Sequence, residues 1–194
     1  MGTPHITHVL RSFYQVHPYK TGGTSIRHCL NITGLRHQTA HQIINDVGRE
    51  AWGEAFTFTV VRNPYDRLVS FYHYVRRKRY MLDRSLDFEG FVRRKLVDGR
   101  PVLTVQKARF WMPVANWIYE GGKCLVDYVG RFEQLQGSFD VICDRIGRPR
   151  ETLPHVNRTD HAHYSTYYTP GLREVVDGSM QSDCEAFGYT FSVE

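Results

Sequence analysis

No run of apolar residues in the 194-residue chain approaches the roughly 20 that a bilayer-spanning helix needs, so no helical membrane segment is expected. The first ten residues, Met1 to Leu10, hold Pro4, His5 and His8 in place of a basic flank followed by an apolar stretch, and do not read as a secretory signal. Cytoplasm is therefore the default compartment, although a lumenal catalytic domain cut from a membrane-anchored protein would look the same. Cysteine is scarce. Cys29, Cys124, Cys143 and Cys184 lie far apart, form no Cys-x-x-Cys pair and are read as reduced, in a chain too large to depend on disulfide staples. Cys143 shares a helical stripe with Leu135, Phe139, Ile142 and Ile146, which assigns it to packing. Sixteen Gly and eight Pro are near average usage, which excludes collagen-like and disordered classes. With no internal repeat, low-complexity tract or linker, residues 1–194 read as a single domain.

Hydrophobic residues make up 41% of the chain and aromatics 13%, enough for a real core. The net charge of +5 favours anionic partners without choosing among nucleic acid, nucleotide and acidic glycan. Phe13 to Val16 reads as a short strand that meets a tight loop and then a helix over Ile26 to Leu30. Thr39 caps a helix through Val47 that Gly48 stops, and Phe56 to Val61 has the make-up of a buried strand. Asn63-Pro64 opens a helix running to about Tyr80, and another spans Phe88 to Val97. A third buried strand is expected over Leu125 to Val129 and a helix over Phe132 to Ile146. The last helix starts at Thr169-Pro170, with Leu172, Val175, Val176 and Phe187 inward. Strands alternating with helices predict an α/β fold, a parallel sheet flanked by helices. Gly147 to Thr169, rich in Pro, His, Arg and Tyr, is a connection long enough to be functional.

Lys20-Thr21-Gly22-Gly23-Thr24-Ser25, between a strand and a helix, has the parts of an anion cradle. Glycines let the backbone approach closely, successive N–H groups converge, and the helix dipole and Lys20 add positive potential. A Gly-rich turn that merely caps a helix is the simpler alternative. The loop is not a Walker A motif, whose lysine follows its glycines, whereas Lys20 precedes them. In Val60-Val61-Arg62-Asn63-Pro64-Tyr65-Asp66-Arg67-Leu68-Val69-Ser70, Arg62 falls at a strand's C-terminal end and Ser70 two turns into the next helix, where open α/β sheets bind ligands.

Together these motifs resemble the sulfotransferases that use 3'-phosphoadenosine 5'-phosphosulfate (PAPS), in the branch of Golgi-type and bacterial carbohydrate sulfotransferases. The resemblance extends to His37-x-Thr39-Ala40, Val129-Gly130-Arg131-Phe132-Glu133, His155-Val156-Asn157-Arg158 and Phe187-Gly188-Tyr189, nearly the whole chain. It implies a P-loop-like fold in which Lys20 to Ser25 hold the 5'-phosphosulfate and Arg62 and Ser70 hold the 3'-phosphate. Relatives commonly place proline immediately before the lysine. Here Tyr19 stands there and Pro18 comes one residue earlier, so the mouth of the cradle is shaped differently.

Sulfuryl transfer needs an activated acceptor hydroxyl and a neutralised leaving phosphate, and no metal is needed in principle. Lys20 meets the second requirement, with loop N–H groups and the Thr24 and Ser25 hydroxyls on the 5'-phosphate. His37, between the two phosphate motifs, is the expected base, where the resemblance places a base-bearing position. The alternatives for it are a polar residue ahead of a helix cap, or a metal pair with His41 that lacks a third ligand. The late loop contains His155, His161 and His163 at no recognised zinc spacing. Within it Arg158 and Thr159 are candidates for the 3'-phosphate or adenine, and Tyr164 for stacking on the base. Arg76-Arg77-Lys78-Arg79 either complements a helix C-terminus or attracts an anionic acceptor such as an acidic glycan. No nucleic-acid-binding motif accompanies it. The reading is thus a PAPS-dependent enzyme acting on a hydroxyl of a carbohydrate or other small molecule. The alternatives are a catalytically silent binder of adenosine phosphates or polyanions, and a P-loop phosphotransferase.

Overall fold

The computed structural model describes residues 12–34, 36–104, 108–154 and 161–193. In chain order the elements are β1 (Phe13–Gln15), α1 (Gly23–Cys29), α2 (Ala40–Val47), α3 (Arg49–Glu54), β2 (Phe56–Val61), α4 (Pro64–Arg77), α5 (Phe88–Leu96), α6 (Ala115–Ile118), β3 (Tyr119–Glu120), β4 (Lys123–Cys124), β5 (Tyr128–Arg131), α7 (Leu135–Ile146) and α8 (Pro170–Phe187). Short 3-10 turns cover Ala108–Trp111, Phe132–Gln134 and Tyr164–Tyr167. The main sheet runs β1-β2-β5, both pairs parallel, with Phe13 opposite Phe56 and Phe58 opposite Tyr128. The α/β architecture expected from the strand and helix alternation is present. Among the described residues no helix is long and apolar enough to cross a membrane.

Every residue of the central strand β2 is buried, as a strand covered on both faces must be. Its alternate side chains serve two cores. Phe56, Phe58 and Val60 pack with Ile26 and Leu30 beside α1 and with Phe139, Ile142, Cys143 and Ile146 of α7. Val61 joins Val16, Ile43, Ile44, Trp52, Trp117 and Ile118 on the other side. A third cluster ties α4, α5 and α8 through Leu68, Phe71, Phe91, Phe110, Leu172 and Val176. Cys143 is buried in the core as expected, where burial pushes its thiol up to about 11.

The caps work as their residue types predict. Thr39 accepts from the Gln42 amide in a capping box, Asn63 accepts from Tyr65 with Pro64 behind it, and Thr169 accepts from Leu172. Gly48 ends α2 at φ +89, and α3, which the sequence pattern did not announce, follows at once.

Two expectations need correction. The third strand is Tyr128–Arg131 and not Leu125 to Val129, because Asp127 interrupts the run and docks by its side chain: its carboxylate accepts from the Thr57 amide at 2.8 Å and hydroxyl at 3.0 Å. The helix expected from Phe132 begins as a 3-10 turn and becomes α-helical at Leu135. Ahead of β5, α6 and the β3–β4 hairpin around Gly121-Gly122 went unread, although both glycines take the positive φ that a tight hairpin turn demands. On the last helix Leu172, Val176 and Phe187 are buried and Val175 is half-buried.

Candidate active site

Parallel strands deliver their C-terminal ends to one edge of the sheet, and the three ends here open into one cleft of about 1050 Å³. The residues after β1 supply Lys20, Gly22, Gly23, Thr24 and Ser25, those after β2 supply Arg62 and Asn63, and those after β5 supply Phe132 and Glu133. Ser70 and Tyr74 reach the cleft from α4 and His37 from the loop ahead of α2.

The glycine loop is built to bring backbone close. Gly22 caps α1 at φ +80, and a Cβ there would lie 2.7 Å from Leu135. A Cβ on Gly23 would lie 2.2 Å from the His17 ring. Neither position admits a side chain, so the loop backbone packs directly against Leu135 and His17 where it borders the cleft. Thr21 does not line the cleft; its buried hydroxyl donates to the Pro18 carbonyl at 3.1 Å and braces the loop.

Lys20 itself adopts φ +65, a conformation that L-residues hold only when their surroundings impose it. Its ammonium sits 4.8 Å from the Tyr74 ring centre, and burial, helped by Arg62 and Arg77, pulls its pKa down to about 8. A cation half ready to lose its proton is one awaiting a counter-charge. Because only the ammonium form attracts an anion, affinity for 3',5'-adenosine bisphosphate should be flat between pH 7 and the Lys20 pKa. Above it, affinity should fall by up to about tenfold per pH unit. Calorimetry from pH 7 to 9.5 checks this, with Lys20→Met expected to bind weakly and without that slope.

Arg62 is held on three sides. Its Nε donates to Asp66 at 2.8 Å, Nη1 donates to the Lys20 carbonyl at 3.2 Å, and its plane lies 3.9 Å from the Phe132 ring centre. The second bond joins the two cationic motifs directly. Asp66 and Phe132 are partners that the sequence reading missed; the Arg62 to Asp66 spacing of one helical turn was the available signal.

Glu133 explains why distant motifs meet. One oxygen accepts from the Asn63 amide at 2.7 Å and the other from the Tyr189 hydroxyl at 2.9 Å, while Arg131 donates to the Phe187 carbonyl. A Cβ on Gly130 would meet Ser138 at 2.8 Å, and the Ser138 hydroxyl bonds both the N–H and the carbonyl of Arg131.

His37 Nδ1 lies 3.0 Å from the His17 carbonyl. A carbonyl only accepts, so in the neutral ring Nδ1 carries the proton and Nε2 keeps the lone pair, the tautomer that a base requires. The ring stacks on Tyr19, centroids 3.7 Å apart and planes within 14°. His17, unread in the sequence, is buried against the loop, and that burial with neighbouring positive groups drives its pKa down to about 3. It stays neutral in the physiological range. His41 lies outside the cleft and pairs with Glu120 at 3.2 Å, which disposes of a His37–His41 metal pair.

Tyr164 borders the cleft but is 6% exposed, with its hydroxyl bonded to Ser192 at 2.7 Å and its ring packed against Tyr65, His163 and Phe191. In this arrangement it is wall and not an open platform for a base. His161 and His163 also border the cleft. The former stacks on His73 at 5.3 Å, and the latter bonds Ser165 at 2.8 Å. Arg158, Thr159 and His155 lie outside the described residues. Among the described residues no three His, Cys, Asp or Glu side chains converge as a metal site would need. Arg76 to Arg79 are exposed, and of the run only Lys78 borders the cleft.

An uncharacterized protein of Archaeoglobus fulgidus is 26% identical over 125 residues, which cover 64% of this chain and 95% of that protein. The crystal structure of a sulfotransferase from Alicyclobacillus acidocaldarius aligns over 94% of this chain and 98% of its own, with 14% identity and a TM-score of 0.44. The family model described as the sulfotransferase family matches residues 7–190, a span that takes in the glycine loop, Arg62, the Glu133 bridge and Tyr189. With its loop, its strand ends and its closing segment all inside that match, the chain belongs to the sulfotransferase family.

Proposed function

We propose that the protein transfers the sulfuryl group of PAPS to a hydroxyl, on a carbohydrate or a comparable small molecule. The observation that carries this reading is the direct link between two cationic anchors: Arg62 donates to the Lys20 carbonyl, in one cleft with a glycine loop that excludes side chains. Two separate anchors suit a nucleotide charged at both its 5' and 3' ends. A glycine loop whose backbone borders the cleft and a lysine whose charge is poorly solvated both fit an anionic occupant.

Lys20, the loop N–H groups and the Thr24 and Ser25 hydroxyls would hold the 5' end, and Arg62 with Ser70 the 3'-phosphate. When bound, the nucleotide supplies a sulfuryl group on a phosphate leaving group. The protein's own part is electrostatic and protonic. Lys20 opposes negative charge at the 5' side, and the fixed loop dipoles need no reorganisation to do the same. His37 Nε2 takes the acceptor's proton, and the His17 carbonyl, bonded to Nδ1–H, steadies the imidazolium that forms.

Arg62→Ala tests the 3' anchor. It should weaken 3',5'-adenosine bisphosphate by about 1.5 to 3 kcal/mol, as a lost charge-assisted contact does, and AMP far less. Equal losses in calorimetry would remove Arg62 from the 3' site. Turnover of radiolabelled PAPS across a panel of hydroxylated sugars separates the enzyme from a silent adenosine-phosphate binder, which would retain affinity and transfer nothing.

A further inference from the structure

We propose that Arg109 is a positioning residue that sets the backbone of His37 and, through it, the imidazole that the preceding reading makes the base. His37 stands at φ +60, outside any helix and two residues before the Thr39 cap. A non-glycine residue keeps that conformation only where its neighbours over-determine it. Three contacts contribute. The His17 carbonyl fixes the Nδ1 proton, the Tyr19 ring fixes the imidazole plane, and Arg109 Nη1 donates to the His37 carbonyl at 3.0 Å. The first two act on the ring. The third grips the peptide from which the ring projects, and it does so from 72 residues along the chain.

The grip has a firm base. Arg109 belongs to the 3-10 turn Ala108–Trp111, and the next residue, Phe110, is wholly buried and stacks on Phe71. The fully buried Arg67 donates to the carbonyls of Phe110 at 3.1 Å and Met112 at 3.2 Å, pinning this segment to α4. Arg109 is itself exposed, so its backbone is anchored while its side chain crosses to the His37 loop. The segment between α5 and α6 thereby governs a residue of the loop between α1 and α2.

The test compares the wild type, Arg109→Ala and Arg109→Lys, each with 3',5'-adenosine bisphosphate as the binding probe. Nitrogen-15 spectra of the imidazoles, with His37 assigned by its absence in His37→Gln, should show one Nδ1–H tautomer in the wild type. In Arg109→Ala the His37 signals should report mixed tautomers or exchange broadening, and Arg109→Lys should restore much of the wild-type pattern. Bisphosphate affinity should stay within about twofold, and transfer to the best sugar of the panel should lose roughly 10- to 100-fold in kcat with KM for PAPS unchanged, as misplacement of a base does. An unaltered His37 spectrum in Arg109→Ala overturns the proposal. If the spectrum changes while Arg109→Ala and His37→Ala both transfer at the wild-type rate, the positioning stands and the assignment of His37 as base falls.

Discussion

Replacing His37 with alanine is expected to slow sulfate transfer by about 10²- to 10⁴-fold while leaving 3',5'-adenosine bisphosphate binding near the wild-type level. The separation follows from geometry. The proposed phosphate anchors lie on the strand ends and α1, whereas His37 is held from other parts of the chain, by His17, Tyr19 and Arg109. Rate as a function of pH gives the second signature. Protonating Nε2 removes the acceptor for the hydroxyl proton, so wild-type activity should fall toward acid pH, and the alanine variant should lack that limb. A variant with a near-normal rate and an unchanged profile would eliminate His37. The next imidazoles to test would then be His161 and His163, which border the cleft, and not His41, which does not.

Arg67→Leu should be among the most damaging single changes to stability. The guanidinium has no exposure, donates to the carbonyls of Phe110 and Met112, and lies 3.8 Å from the Asp183 carboxylate, which is equally buried and accepts from the Ala115 amide at 2.7 Å. Leucine would leave two carbonyls without their donor and a buried carboxylate without its cation, a loss of about 3 to 5 kcal/mol. For a chain of this size that lowers Tm by roughly 6 to 20 °C. Burial already holds the Asp183 carboxyl above its usual range against the pull of Arg67, and removing that cation should raise it further. The double variant Arg67→Leu with Asp183→Leu should recover part of the loss, since a buried pair costs more to break than to replace. A loss below about 1 kcal/mol in chemical denaturation would show the pair to be dispensable.

The legible parts of this molecule are those whose physics is local. The glycine loop, the apolar run of β2, the Asn63-Pro64 opening and the Thr39 and Thr169 caps each need only neighbours within a few residues to reveal themselves. Arg67 did not, because one arginine on an amphipathic helix reads as solvated until its face is known to pack against α8 and the 3-10 turn. His17 looked like part of a strand-to-loop bend, and nothing nearby in sequence says that a glycine six residues on leaves room for its ring. The strand over Tyr128–Arg131 was misplaced by three residues because Asp127 finds its partner on Thr57, far upstream. At the site, the glycine loop and Arg62 could be picked out in the sequence, and the fold brings them into one cleft. The Tyr19 stack and the Arg109 bond could not be, since each depends on where the chain returns.

The Glu133 bridge bears on the order in which a growing chain acquires its site. Asn63 reaches Glu133 across 70 positions and the Thr190 carbonyl across 127, and Tyr164 meets Ser192. Contacts of such span are closed late, after local helices and the first parallel pair. On a ribosome adding about 5 to 20 residues per second, the glycine loop would emerge several seconds before Tyr189 exists to bond Glu133 at the cleft. Ribosome-bound chains halted before that tyrosine should therefore retain little of the proposed nucleotide, since the segment after α8 holds the partners that close these long-range contacts.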